Sequence, residues 1–189
     1  MTIETRPSAK RERTLAALVE HGLELFERQG YDETTVAEIA RAAGVTEMTF
    51  FRYFPAKEHL VLDDPYDPVL IAAIAAQPRE LPPFLRAAGG IRAAWRALPE
   101  PETPVIRRRV RISARTASLR GAVWRSTGNT ERAVVEQLVA DGASPLQARV
   151  AAASVLAALV AGLFAWAEDE STTLADAIER ALDVIEVRP

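Results

Sequence analysis

Apolar residues recur along this chain at helical spacing almost from end to end. Leu15, Leu18, Val19, Gly22, Leu25 and Phe26 fall on one helical face, and Gly30 closes the segment. Val36, Ile39, Ala40 and Ala43 follow at i, i+3, i+4 and i+7, the buried face of a second, short helix. Thr35 and Glu38 form a capping box ahead of it: the threonine oxygen accepts a free backbone N–H, and the glutamate reaches back to the cap. Gly44 stands just past its end, where a left-handed backbone stops a helix without Cβ strain. Thr46 is an N-cap for a third helix, which runs through Phe54 and must break at Pro55, a residue without an N–H. Val45 plugs the gap between the two short helices. Helix, glycine turn and short helix within about twenty residues is the layout of a helix-turn-helix, whose second helix enters a DNA major groove.

The helical pattern continues beyond Leu60, punctuated by proline. Pro65 and Pro68 break the chain after Leu62, so a fourth helix is short or kinked there. A helix from about Asp67 to Ala76 is predicted next, then the proline-marked QPRELPP, then a helix over Pro83–Leu98 weakened by Gly89 and Gly90. Residues 99–104 separate it from a helix starting near Val105. Asn129 to Asp141 reads as helical, with Gly142 at its end. Ser144 and Pro145 start the longest helix as N-cap and first residue. Leu174, Ile178, Leu182 and Ile185 mark the last amphipathic helix. No segment has the strand period and no repeat is found, so the fold class is all-α, with a DNA-binding domain over residues 1–60 and a helical domain over residues 61–189.

Charge and composition narrow the function. Of the 189 residues 49% are hydrophobic and 26% charged, enough for a packed core. There is no cysteine, hence no disulfide framework and no thiolate metal site. The N-terminus is charged and lacks an apolar h-region, which implies a cytoplasmic location. Residues 1–60 carry eight Lys/Arg against ten Asp/Glu, net −2, which argues against a generic polyanion binder. The basic residues are nevertheless grouped: Arg6, Lys10, Arg11 and Arg13 in the N-terminal arm, and Arg41, Arg52 and Lys57 around the third helix. Moderate, salt-sensitive affinity with few phosphate contacts per subunit is expected. The only histidines are His21 and His59, and neither a phosphate loop nor a nucleophile elbow occurs. An enzyme is therefore disfavoured and no cofactor or metal is expected; Asp63, Asp64 and Asp67 read as a solvated turn between prolines.

The segment from Leu15 to Leu60 resembles the TetR family of bacterial one-component regulators. The resemblance rests on Gly30-Tyr31, Thr34-Thr35-Val36, Ile39-Ala40, Ala43-Gly44-Val45, Tyr53-Phe54 and Lys57-Glu58. It implies a homodimeric transcription regulator, most often a repressor, that binds a palindromic operator in double-stranded DNA and is released by a small-molecule effector. By position it implies that Thr35 and Lys57 bond phosphates at helix N-termini, and that Tyr53 gives its hydroxyl to the DNA backbone. Thr46, Glu47, Thr49, Phe50 and Arg52 are implied to face the groove, with Arg52 placed for a bidentate guanine contact. Phe54 and Ile39 are assigned to the small core. One position departs: the family usually has tyrosine where this chain has Phe51, which cannot donate a bond to phosphate. For each of these residues the competing interpretation is a cap, a core side chain or a solvated charge.

Three features of the remainder carry two interpretations each. Residues 150–167 are apolar around the whole circumference, at the short end of a membrane span. Alanine dominates them, and a helix apolar on all sides also suits burial between its own core and a partner, which is the preferred interpretation, without a membrane. The resemblance places the last two helices in a four-helix dimer interface. Arg107, Arg111 and Arg115 recur at i+4 and could grip the carboxylate or phosphates of a ligand, although pairing with acidic residues is favoured. Phe84, Trp95, Trp124 and Phe164, with Trp166, could line a hydrophobic effector cavity or simply fill the core. Candidate ligand contacts are thus Phe84, Trp95, Arg111, Trp124 and Phe164. The C-terminal part also resembles regulators linked to mycofactocin systems, some of which respond to long acyl-coenzyme A molecules, and this puts acyl-coenzyme A among the candidate effectors. The competing class is a helical interaction module without sequence-specific DNA binding.

Overall fold

The computed structural model describes residues 9–62, 67–97 and 103–186. Arg6, the Asp63-Asp64-Pro65 turn and most of the separator at 99–104 lie outside the described residues. Among the described residues the chain is helical, without a strand. The head comprises α1 (Ala9–Gln29), α2 (Val36–Ala42) and α3 (Glu47–Tyr53), followed by the single turn α4 (His59–Leu62). The body comprises α5 (Asp67–Ala75), α6 (Pro83–Ala97), α7 (Thr103–Arg115), α8 (Arg120–Ala140), α9 (Pro145–Glu168) and α10 (Leu174–Ile185), with a 3-10 turn at Ala117–Leu119.

The local signals in the head act as their chemistry requires. The Thr35 hydroxyl accepts the Glu38 N–H at 3.2 Å while the Glu38 carboxylate accepts the Thr35 N–H at 2.8 Å. Gly44 sits at φ 67°, in the left-handed region that a side chain would strain. Thr46 caps α3 by accepting the Thr49 N–H at 3.2 Å. Leu18, Phe26, Ile39, Phe50, Phe54 and Leu60 fill the space between the helices. The same apolar cluster takes in Ile112, Leu119 and Ala122, so the head shares a seam with the body rather than hanging from a linker. Polar contacts reinforce that seam: Arg108 binds Glu20 at 2.9 Å and Glu27 at 2.7 Å, and Arg125 binds Glu58 at 3.2 Å.

The body is organised about α9, which packs against α6, α7, α8 and α10. One side of α9 buries Ala148, Ala151, Ala152, Val155, Leu159 and Trp166. Its other side exposes Leu146, Val150, Ala153, Ala157, Ala161 and Ala165, an apolar stripe at spacings of three and four running the length of the helix. Length and composition alone would let α9 cross a bilayer. The half-buried, half-exposed circumference is what a helix between its own core and a partner requires.

One predicted helix forms despite its glycines and another starts earlier than predicted, and both have packing causes. Helix α6 forms as predicted and runs unbroken through Gly89 and Gly90; glycine is required at the second, where a Cβ would stand 2.5 Å from the Ile74 Cα. Contact between the backbones of α5 and α6 therefore outweighs the propensity cost of the glycine. Helix α8 begins at Arg120 instead of Asn129: Gly121, Thr127 and Gly128 argue locally against a helix, but Ala122 and Thr130 are buried on a face continuous with Val134 and Leu138. At the far end of α8, Arg86 and Asp141 form a buried ion pair at 2.5 Å, to which the Gln137 amide adds a donor at 2.8 Å.

Candidate nucleic-acid interface and effector cavity

The residues of α3 and its C-cap Phe54 present one face to the core and another to solvent. Phe50 and Phe54, one turn apart, are buried with ring centroids 5.5 Å from each other, and Tyr53 is half-buried beside them. Phe50 is 0% exposed, so it cannot meet a base edge as expected; its burial contributes about 2–3 kcal/mol to the head. The opposite face therefore centres on Met48 and Arg52, flanked by Glu47 and Phe51. Met48 is 84% exposed and Phe51 50%, and neither was among the expected groove residues. The signal was available: once Phe54 is placed in the core, its i−4 neighbour must follow, and residues 48 and 52 then point away. Thr49 is half-buried, its hydroxyl 3.1 Å from that of the exposed Thr46. Arg52 is exposed, with its guanidinium 5.7 Å from the Tyr53 ring centre.

Lys57 is engaged inside the head. Its ammonium donates to the carbonyls of Tyr31 at 2.7 Å and Thr34 at 2.8 Å and lies 4.1 Å above the Tyr31 ring centre. Burial lowers its pKa, against the pull of Asp32 and Glu33. The same burial, with Glu58 and Asp32 close by, pushes the Tyr31 hydroxyl up to about 12. Lys57 thus ties the α1–α2 turn to the start of α4, using two of its three donors. Thr35 is exposed at the α2 N-terminus, its hydroxyl donating to Glu38 at 2.8 Å.

A cavity of about 730 Å³ lies between head and body. Its walls are mostly apolar, with Leu156, Leu159 and Leu163 from α9 facing Leu15, Ala16 and Val19 from α1. Its polar points include Glu12, Glu20, Asp67, Arg109 and Thr130, and Asp67 accepts the Thr130 hydroxyl at 2.8 Å. This volume suits a drug-sized molecule. Of the five residues expected at a ligand, Trp95 and Phe164 line it. Phe84 packs against the body core outside it, and Trp124 is 72% exposed on the outer side of α8. The α1 contribution was not expected, because nothing in a helix's own pattern shows that its outer rim closes a distant cavity.

Arg111 does not line the cavity either. Its Nε donates to the Ala167 carbonyl at 2.8 Å and its Nη2 reaches Glu170 at 3.3 Å. Arg107 donates to the carbonyls of Trp166, Asp169 and Thr172, and Arg115 pairs with Glu168. The i+4 arginines of α7 therefore cap the C-terminal end of α9, satisfying carbonyls that a helix end leaves open. Asp169, just past that end, is held down to about 2 by bonds from Ser171 and Thr172.

An outward-facing α3 on a three-helix head, joined to a body with a ligand-sized cavity, defines a helix-turn-helix regulator of transcription. Residues 18–63 match the family described as bacterial regulatory proteins, tetR family, and residues 81–188, more than half of the chain, match the MftR C-terminal domain. The chain belongs to the TetR family, with a C-terminal domain of the MftR type. It is similar to the HTH-type transcriptional regulator TcmR of Streptomyces glaucescens, 40% identical over 86 residues that span 44% of this chain and 38% of TcmR. Over 98% of this chain and 96% of the relative it is 26% identical to the putative mycofactocin biosynthesis transcriptional regulator MftR of Mycobacterium tuberculosis. Among solved structures it resembles NalD, the secondary repressor of the MexAB-OprM multidrug efflux pump in Pseudomonas aeruginosa (TM-score 0.58, 26% identity, 92% of this chain and 96% of NalD). The fatty acid degradation regulator FadR of Bacillus halodurans shares the fold (TM-score 0.59, 15% identity, 98% and 99%). Proteins of this family bind DNA and regulate transcription, typically as repressors, and are not typically enzymes.

Proposed function

We propose that this protein is a homodimeric repressor that reads a palindromic operator through α3 and lets go when a hydrophobic effector fills the cavity between head and body. Support for dimerisation comes from the exposed apolar stripe of α9, whose alanines allow close approach of a second copy. Arg52 is the groove-facing cation, and the α2 N-terminus with Thr35 and the remaining Lys57 donor faces phosphate. Tyr53, whose ring is covered by Arg11 and Arg52, offers its hydroxyl to the same backbone. The observation that carries the release mechanism is the cavity's position. An occupant touches α1 of the reading head on one side and α9, the dimer-forming helix, on the other. It thereby acts on the two elements whose relative placement sets the distance between reading helices. By linkage, an effector that weakens operator binding is itself held less tightly by operator-bound protein, by the same factor. An acyl chain suits the apolar walls, while Arg107, Arg111 and Arg115, which could have gripped coenzyme A phosphates, are engaged within the protein.

The test is a pair of titrations, on an operator selected from the organism's own genome and on random duplex. Wild type is expected to prefer the operator and to weaken with salt. Arg52→Ala is expected to lose about 1–3 kcal/mol of that preference per half-site while retaining its affinity for random duplex. Equal losses on both duplexes would reject the reading role of Arg52, and no preference in wild type would favour a protein-interaction module instead.

A further inference from the structure

The exposed side chains of α3 include two large apolar ones. Met48 stands at the centre of the outward face, one turn from Arg52, and Phe51 lies beside it. An exposed apolar pair on a small polar head marks a contact surface. Its position identifies the occupant, because it is continuous with Arg52 and the Thr46 cap on the face of the helix-turn-helix that meets DNA. In the major groove, thymine alone presents an apolar group at its base edge, the C5 methyl. The two side chains are also suited to that group. Methionine is flexible and polarizable and follows the contour it meets. The Phe51 ring is held edge-on against buried Phe50, centroids 5.6 Å apart at 86°, so its orientation is set before DNA arrives. Prior ordering of this kind lowers the entropy lost on binding.

We propose that Met48 and Phe51 read thymine methyl groups in each operator half-site, next to a guanine read by Arg52. The proposal rests on the regulator function above and assigns part of its specificity. It also gives Phe51 a role in place of the phosphate bond that it cannot make. One helical turn separates Met48 from Arg52, about 6 Å along the axis, which corresponds to roughly two base-pair steps. A thymine is therefore expected within about two base pairs of the guanine.

Deoxyuridine substitution tests this, since it deletes the C5 methyl and leaves every hydrogen-bonding group in place. Each thymine of the selected operator is replaced in turn, symmetrically in both half-sites, and binding is titrated with the full-length protein. Loss of one methyl contact weakens binding about fourfold, and loss in both half-sites about fifteenfold. Wild type is expected to show that loss at one or two positions. Met48→Ala and Phe51→Ala, both at exposed sites, are expected to become indifferent to deoxyuridine there while still discriminating at the guanine. Selection of an operator followed by indifference of wild type to every deoxyuridine overturns the inference alone. So does full retention of the deoxyuridine response in both variants. Failure to select any sequence overturns the regulator function and this inference together.

Discussion

Ala157→Arg is expected to yield a folded monomer whose operator affinity falls at least a hundredfold. Ala157 lies mid-way along the exposed stripe of α9, so an arginine there finds room in the isolated chain. In a symmetric dimer the same substitution appears twice across the seam, placing two desolvated guanidiniums opposite each other. With the seam broken, each head must bind its half-site alone. The second contact of a linked pair raises avidity by about 10²–10⁴, and that factor is what the monomer forfeits. Sedimentation gives the mass, thermal unfolding shows that the fold persists, and operator titration gives the affinity. A variant that remains dimeric with unchanged affinity would place the dimer seam elsewhere.

Asp141→Asn is expected to destabilise the body by about 3 kcal/mol, the largest loss foreseen for a single polar substitution. The Asp141 side chain is 3% exposed and faces Arg86, which is itself buried; Arg79 approaches the same carboxylate at 3.4 Å. Removing the negative charge leaves a buried guanidinium without compensation, which costs more than the intact pair contributes. The Gln137 amide, then Arg86, hold the Asp141 carboxyl below its ordinary range. A carboxyl whose folded pKa is depressed stabilises the fold above its unfolded pKa, near 4, and loses that contribution as pH falls through the lower folded value. Wild type should therefore lose stability on acidification below about pH 4, and Asp141→Asn should show a smaller decline over the same window. Urea unfolding at a series of pH values measures both; parallel declines in the two proteins would contradict the assignment.

Local chemistry in the head was legible from residues alone. Thr35 and Glu38 cap α2, Gly44 turns the chain, and Thr46 and Pro55 bound α3, because each acts within four residues of its own position. Side-chain direction was harder. Phe50 was expected at the groove because it belongs to the reading segment, yet a seven-residue helix has only one inner face, and Phe54 had already claimed it. Met48 was given no role, although its place two residues before Phe50 puts it on the outer face. In the body the helix through Gly89 and Gly90 was legible, though not that Gly90 admits the close approach of Ile74; the start of α8 was missed, because that helix extends through Gly121 and Gly128 along a continuous buried face. The α7 arginines show the limit of spacing arguments. Their i+4 row was visible, but that they cap the end of α9 depends on how residues 56 and 59 positions apart in the chain come together.

Hydroxyl-radical footprinting of the protein on duplex captured from its own genome addresses the central claim most directly. Two α3 helices of one dimer, presented to successive major-groove faces, predict two protected patches related by a dyad, about 34–36 Å apart for half-sites one turn from each other. Capture that enriches no fragment over bulk duplex, or protection without a dyad, would contradict it.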